Sequence, residues 1–423
     1  MAEMVKAPGP MPPNMETASS AWAPLKEPLF RSMWIAAIIS YIGTWMQAVG
    51  AGWMMTEISS SPLMVGLVQA AVALPVFLVI LPAGALADMV DRRQFLLVTQ
   101  GWMVLAAGSL GVLTLFRAVT PWVLLGFTFA LGLGAVMNDP AWQAITPELV
   151  PNEQHAAAVA LNSAGFNVAR AIGPPLGGMV IAVAGSGTAF LLNALSFFGV
   201  IIVLYRWQRP MPERMETAAL WDSVRGGIQY AHRSALVKSV LIRTGAFSVG
   251  AIALLALLPI VARPYGATGF GILLGTFGVG ALIGATILPR LKRQLSVDGV
   301  VATAIIVFAV MTFAAGQVHR FSALCVVMAT AGGAWIGILA CLNTAAQTMT
   351  PPWVRARALS MYLLVLQGGM AIGSTMWGAL ATRIGLPRTL CCSALALLAG
   401  LVTIRKHRLS ARHLAMAPSV VRD

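Results

Sequence analysis

Residues 63–93 read LMVGLVQAAVALPVFLVILPAGALADMVDRR. The 25 residues from Leu63 to Ala87 carry no ionisable side chain, and then Asp88, Asp91, Arg92 and Arg93 follow within six positions. A helix rises about 1.5 Å per residue and the hydrocarbon of a bilayer is about 30 Å thick, so this run is long enough to cross a membrane and the charged turn after it marks where the chain re-enters water.

The same pattern recurs along the chain. Apolar runs of spanning length are predicted at 31–55, 63–87, 95–116, 121–146, 156–183, 188–205, 237–261, 268–289, 298–317, 321–349, 357–382 and 386–404. Composition agrees: 58% of the 423 residues are hydrophobic and only 10% are charged, against about 25% charged in an ordinary soluble domain. A chain so poor in charge cannot cover its surface with polar groups unless lipid is its solvent. The first 30 residues lack the continuous apolar stretch that a signal peptide needs, so they read as a cytoplasmic tail and the first apolar helix as a lasting part of the protein.

Net charge is +14, and its placement matters more than its size. Of 28 Lys and Arg residues, 21 fall in the tails and in the loops that follow even-numbered runs, 5 fall in the other loops, and Arg170 and Arg243 sit inside runs. The positive-inside rule places both termini in the cytoplasm, with no nucleic-acid partner needed to explain the charge. The expected organisation is a tail over 1–30, a six-helix bundle over 31–205, a linker over 206–236, a second six-helix bundle over 237–405 and a basic tail over 406–423. Within the linker, Trp221, Val224 and Ile228 share one face, as in a short amphipathic helix lying on the inner membrane surface.

The two halves repeat. Asp139, Gln143, Thr146 and Pro147 match Asn343, Gln347, Thr350 and Pro351 at an offset of 204. Ile172, Gly173 and Gly178 match Ile372, Gly373 and Gly378 at 200, and Gly66 and Leu86 match Gly271 and Leu291 at 205. With an even number of helices per copy the copies run parallel, which is the architecture of two bundles rocking about a central site. The fold expected is therefore an all-α membrane protein of twelve transmembrane helices in two pseudo-symmetric six-helix bundles.

Enzyme chemistry finds no foothold. The four cysteines lie in apolar runs, the five histidines in loops or tails, and no GxxxxGK[ST] phosphate loop is present. No cofactor or metal is expected. The residues that stand out are polar ones inside apolar runs. A lone Arg there costs at least about 2.5 kcal/mol, so Arg170 must face a polar cavity or a partner. Asp139 lies about 10 Å from Arg170 in depth on the helical rise, so Gln143, Asn162 and Ser163 are the better-matched partners for Asp139 and Gln47 for Arg170. Asp139, Arg170, Asn138, Asn167, Gln47 and Asn343 are the expected lining of a central pathway, with Asp139 as proton acceptor. Arg243, near a helix end, is expected to snorkel. Trp45 and Trp142 lie deep enough to stack on an amphiphilic solute.

Two motifs carry a family resemblance. Gly84-Ala85-Leu86-Ala87-Asp88-Met89-Val90-Asp91-Arg92-Arg93 resembles the signature loop of the major facilitator superfamily, G-x-L-x-D-(x)2-G-R-(R/K), with Asp91 where Gly is usual. That resemblance implies close helix contact at Gly84, a capping role for Asp88, and an ionic latch from Arg92 to Glu148. Gly173-Pro174-Pro175-Leu176-Gly177-Gly178 resembles the G-P-x-x-G-G motif of the superfamily's exporters, which implies a bent seal between bundles at Gly173, Pro174, Gly177 and Gly178. Asn138–Gly178 and Gly271–Ala285 together look like the transmembrane secretion effector branch, whose members include an enterobactin exporter. Thr128 stands where proton-coupled relatives carry an Arg. The resemblance implies a monomeric secondary exporter of a siderophore-like, drug-like or other amphiphilic small molecule in a bacterial inner membrane, coupled to protons. An importer or lipid flippase of the same fold and a non-transporting sensor or scaffold are the alternatives.

Overall fold

The computed structural model describes residues 20–207, 234–348 and 355–406; of 81–89, 235–236, 356–357 and 405–406 it describes the backbone alone. The proposed surface helix at 221–230 lies outside the described residues. The described chain is helical, with no strand.

Eleven helices are long and apolar enough to cross a membrane. They are α1 (Pro28–Ile58), α2 (Pro62–Met89), α3 (Arg92–Leu115), α4 (Pro121–Ile145), α5 (His155–Arg206), α6 (Ala235–Val261), α7 (Gly266–Gln294), α8 (Val297–Ala315), α9 (Phe321–Thr348), α10 (Arg355–Ile384) and α11 (Leu386–Lys406). Their starts follow from the sequence. Pro28, Pro62 and Pro121 occupy first-turn positions where a missing N–H is harmless. Thr120 Oγ1 caps the Val123 N–H at 3.3 Å and Asp91 Oδ1 caps the Gln94 N–H at 3.0 Å.

The predicted runs 156–183 and 188–205 join into α5, whose 52 residues would extend about 78 Å, over twice the hydrocarbon thickness. The helix is broken at Gly185, where φ 81° and ψ 165° are conformations that glycine alone adopts readily. Gly385, 200 residues on, has the same φ of 81° and separates α10 from α11. Equivalent glycines thus turn the chain in both halves, abruptly enough in the first that hydrogen bonding runs almost uninterrupted through the turn. A second match lies at offset 205: Asp91 caps Gln94 at the start of α3, and Ser296 Oγ caps the Gly299 N–H at 3.1 Å at the start of α8. Asp91, the departure from the family motif, is therefore a helix cap.

Packing repeats as well. α1 lies on α5, α2 on α4 and α3 on α4, as α6 lies on α10, α7 on α9 and α8 on α9. Contacts between residues 28–206 and 235–406 concentrate where α5 meets α7 and where α2 meets α10. The outer surface is strongly apolar, with Val98, Leu105, Val183 and Leu195 among its most exposed side chains. Such a surface requires lipid around it. Arg92 and Arg93 at the start of α3, Arg206 at the end of α5, and Lys292 and Arg293 in the last turn of α7 mark one end of the molecule; we call this the basic end.

Candidate functional site

At the end opposite the basic one, two crossings hold the halves together, and both are built on glycines that the internal repeat relates. A Cβ on Gly66 of α2 would lie 2.5 Å from the Ser374 carbonyl oxygen and 3.2 Å from Gly378 Cα of α10. A Cβ on Gly178 of α5 would lie 2.5 Å from the Ala267 carbonyl oxygen and 3.1 Å from Gly271 Cα of α7. Gly66 corresponds to Gly271 and Gly178 to Gly378, so one contact has been made twice. Only glycine permits backbones this close. The same end carries a polar tie: Arg263 donates from Nη2 to the carbonyls of Thr56 (3.0 Å) and Ser59 (3.2 Å), at the C-terminus of α1, where a cation meets the negative end of the helix dipole. Trp53 of α1 stacks on Phe270 of α7 with centroids 6.5 Å apart.

Behind these crossings lies a cavity of about 370 Å³ lined from both halves. Its two walls differ. Residues of the first half bring Thr44, Gln47, Gln69, Thr128, Arg170 and Asn193. Those of the second half are apolar throughout, with Leu255, Pro259, Phe270, Leu274, Phe277, Trp335 and Met370 among them.

Arg170 reaches this cavity with its guanidinium 5.9 Å from the centre of the Trp45 ring, a cation–π placement. Among the described residues it forms no salt bridge. The expected Gln47–Arg170 pairing is replaced by another: Gln47 Oε1 accepts from Asn193 Nδ2 at 3.4 Å, while Gln47 Nε2 is buried without an acceptor. One turn toward the basic end, Tyr41 and Phe166 pack edge to face at 5.3 Å, and Phe166 also touches Trp45 at 6.4 Å. Asp139 is exposed, with its carboxylate facing open space.

Several expected pathway residues are placed elsewhere. Asn138 is buried and its Oδ1 accepts from Gln100 Nε2 of α3 at 2.9 Å, a tie between packed helices. Asn162 donates to Thr146 Oγ1 at 3.0 Å, so its amide is turned to the end of α4. Asn167 donates to the Ser163 carbonyl at 2.8 Å, one turn back on its own helix, and Asn343 accepts from Gln347 of α9. Trp142 is packed in the core with Phe95 and Ile145 instead of facing the cavity. Arg243 does not snorkel: its side chain is 2% exposed and pairs with Asp298 of α8 at 2.5 Å. Gln69, Asn193 and Phe270 line the cavity without having been singled out; Gln69 and Asn193 are uncharged polar side chains in the middle of apolar runs, which was the available signal.

The motif residues have mixed geometry. Arg92 Nη1 bonds Glu148 Oε1 at 3.0 Å and the Ala144 carbonyl at 3.3 Å, tying α3 to the turn after α4. Arg93 donates to the carbonyls of Leu204 (2.9 Å) and Tyr205 (2.8 Å) at the end of α5. Gly84 and Asp88 fall where side chains lie outside the described residues. Gly173 and Gly177 pack on α1 at Trp45 and Met46, Pro174 lines the cavity, and Gly178 makes the crossing to α7. No His, Cys, Asp and Glu cluster fit for a metal occurs among the described residues.

Comparison with known proteins gives the fold and the family. The chain resembles a bacterial homologue of the human lysosomal transporter Spinster, with a TM-score of 0.66 at 13% identity over 91% of this chain and 95% of that one. It resembles the nucleoside transporter NupG, with a TM-score of 0.67 at 11% identity over 89% and 99%. Among curated relatives, it is 25% identical to the multidrug efflux pump Tap of Mycolicibacterium fortuitum over 90% of this chain and 97% of that one. It is 25% identical to the enterobactin exporter EntS of Salmonella choleraesuis over 84% and 86%. It is also 25% identical to the staphyloferrin A transporter of Staphylococcus aureus over 62% of this chain and 66% of that protein's length. The model of the family described as transmembrane secretion effector matches residues 19–421, so this chain belongs to that family, a group of major facilitator membrane transporters and not of enzymes.

Proposed function

We propose that this protein is a secondary active exporter of a small molecule that works by alternating access and is coupled to protons. Counting the two arms of α5 separately gives twelve spans, arranged as two six-helix bundles that rock about the cavity, with both termini and the basic end on the cytoplasmic side. The observation that carries the reading is the cavity lined by both halves and shut on one side by the two glycine crossings. A closure made of backbone contacts between two bodies can part without unfolding either body. The charge distribution supports the orientation, since the basic end belongs on the inside. The names of the relatives Tap and EntS support the direction, as both are exporters.

In this reading Arg92 and Glu148 brace the inner end of the first bundle. Asp139, one turn from the cavity toward the cytoplasm and facing open space, is the proton site. The test is pH-driven efflux from proteoliposomes with Asp139→Asn, which keeps the size of the side chain and removes the charge. Efflux should lose its dependence on the imposed pH gradient while substrate counterflow persists. Unchanged pH-driven efflux would remove Asp139 from the mechanism, and equal movement in both directions of the gradient would remove the coupling.

A further inference from the structure

The chemistry of the cavity walls says more than their shape. The first-half wall offers two groups that can only donate to a ligand. Arg170 carries a positive charge and, among the described residues, no salt bridge. Gln47 is 7% exposed, its oxygen is taken by Asn193, and its Nε2 has no acceptor. Among the described residues no carboxylate lines the cavity; Asp139 lies one helical turn past Ala135, the last residue of α4 to touch it. A buried donor without an acceptor is unfavourable, so this wall suits a ligand that brings one. The opposite wall is apolar and aromatic, with Phe270, Phe277 and Trp335 facing the same space.

We infer that this cavity takes an amphipathic organic anion, its acidic group received by Arg170 and Gln47 and its apolar, ring-bearing body laid against the second-half wall. The inference rests on the transport reading above for its purpose, but on the cavity alone for its chemistry. With its guanidinium over the Trp45 ring and no salt bridge among the described residues, Arg170 can offer its fork to a carboxylate or similar group in two places. A cationic amphiphile would meet Arg170 with no compensating carboxylate, and the site would reject it. Because the donors belong to one half and the apolar wall to the other, such a ligand bridges the two bodies and would favour the state in which they close on it.

The test uses three probes on one ring body: 1-naphthylacetate, its neutral amide, and the 1-naphthylmethylammonium cation. Binding to the purified full-length protein is followed by quenching of tryptophan fluorescence, since Trp45 and Trp335 both line the cavity. The expected result is at least tenfold tighter binding of the anion than of the amide, and weaker binding still of the cation. In Arg170→Gln the anion should fall to the affinity of the amide, which itself stays within twofold and shows that the cavity is intact; Arg170→Lys should keep part of the preference. Equal or tighter binding of the cation, a preference that survives Arg170→Gln, or no saturable binding of any probe would overturn the inference. Anion selectivity in binding without any transport would instead count against the exporter reading alone.

Discussion

Adding one methyl group at a crossing gives the sharpest perturbation. In Gly178→Ala or Gly66→Ala the new Cβ would sit 2.5 Å from a backbone carbonyl oxygen of the other half, and ordinary contact begins near 3.4 Å. The difference, 3.4 − 2.5, requires the helices to part by about 0.9 Å at that point, and a backbone atom cannot swing aside as a side-chain tip can. Overpacking of this kind costs about 1–3 kcal/mol, and the helix propensity that alanine gains over glycine is equal in the shut and open states and cancels. The middle of that range, about 2 kcal/mol, is roughly a 30-fold shift in an equilibrium. It falls only on the state in which the crossings are shut, so the protein should fold normally and open more often. The reporter is Ala48→Cys, which lines the cavity, in a background without the four native cysteines. A membrane-impermeant maleimide applied to whole cells should label it up to about 30-fold faster in either variant than in the parent. Gly126→Ala, where nothing lies within 4 Å of the new methyl group, is the control and should leave the rate unchanged. Equal labelling in Gly178→Ala, Gly66→Ala and Gly126→Ala would refute the claim that these glycines set the closure.

Three further outcomes follow from the same geometry. Removing one member of the buried Arg243–Asp298 pair, as in Asp298→Asn, should destabilise the protein by about 3–5 kcal/mol, whereas replacing both by apolar residues should cost far less; thermal unfolding in detergent compares them. Gly185→Ala and Gly385→Ala both force a side chain into positive φ and should each cost about 1–3 kcal/mol in the same assay, with similar values expected because the two turns are related. The Arg92–Glu148 bond is partly exposed at 27% on each side, so its double-mutant coupling should stay below about 1 kcal/mol, and the exchanged pair Arg92→Glu/Glu148→Arg should recover part of any efflux that Glu148→Gln loses.

Much of the fold was legible because lipid makes sequence simple. A spanning helix must be long and apolar, so run lengths placed most helices within a few residues of where they lie. The break expected at 184–187 falls at Gly185, where a single glycine turns the chain without a polar loop, as its twin Gly385 does in the second half. The site was harder. Counting residues along a helix gives depth but not rotation. Asn138 and Asp139 are neighbours in sequence about 100° apart around α4, so one is buried against Gln100 of α3 and the other faces open space. Gln47 and Arg170 do share the cavity, yet the amide is held by Asn193, whose place in the second arm of α5 no depth count could align with α1. Arg243 looked close enough to a helix end to reach water, and only the packing of α8 against α6 brings Asp298 to it.

The central claim is that the two halves part and close at the crossings while each stays whole. Spin labels on Ser60→Cys and Pro264→Cys, in the two turns beside those crossings, measure it by electron–electron distance. Two distance populations are expected, a short one in the closed arrangement and a longer one, whose ratio moves with pH and with a transported substrate. A single short distance under every condition, in protein that still transports, would contradict it.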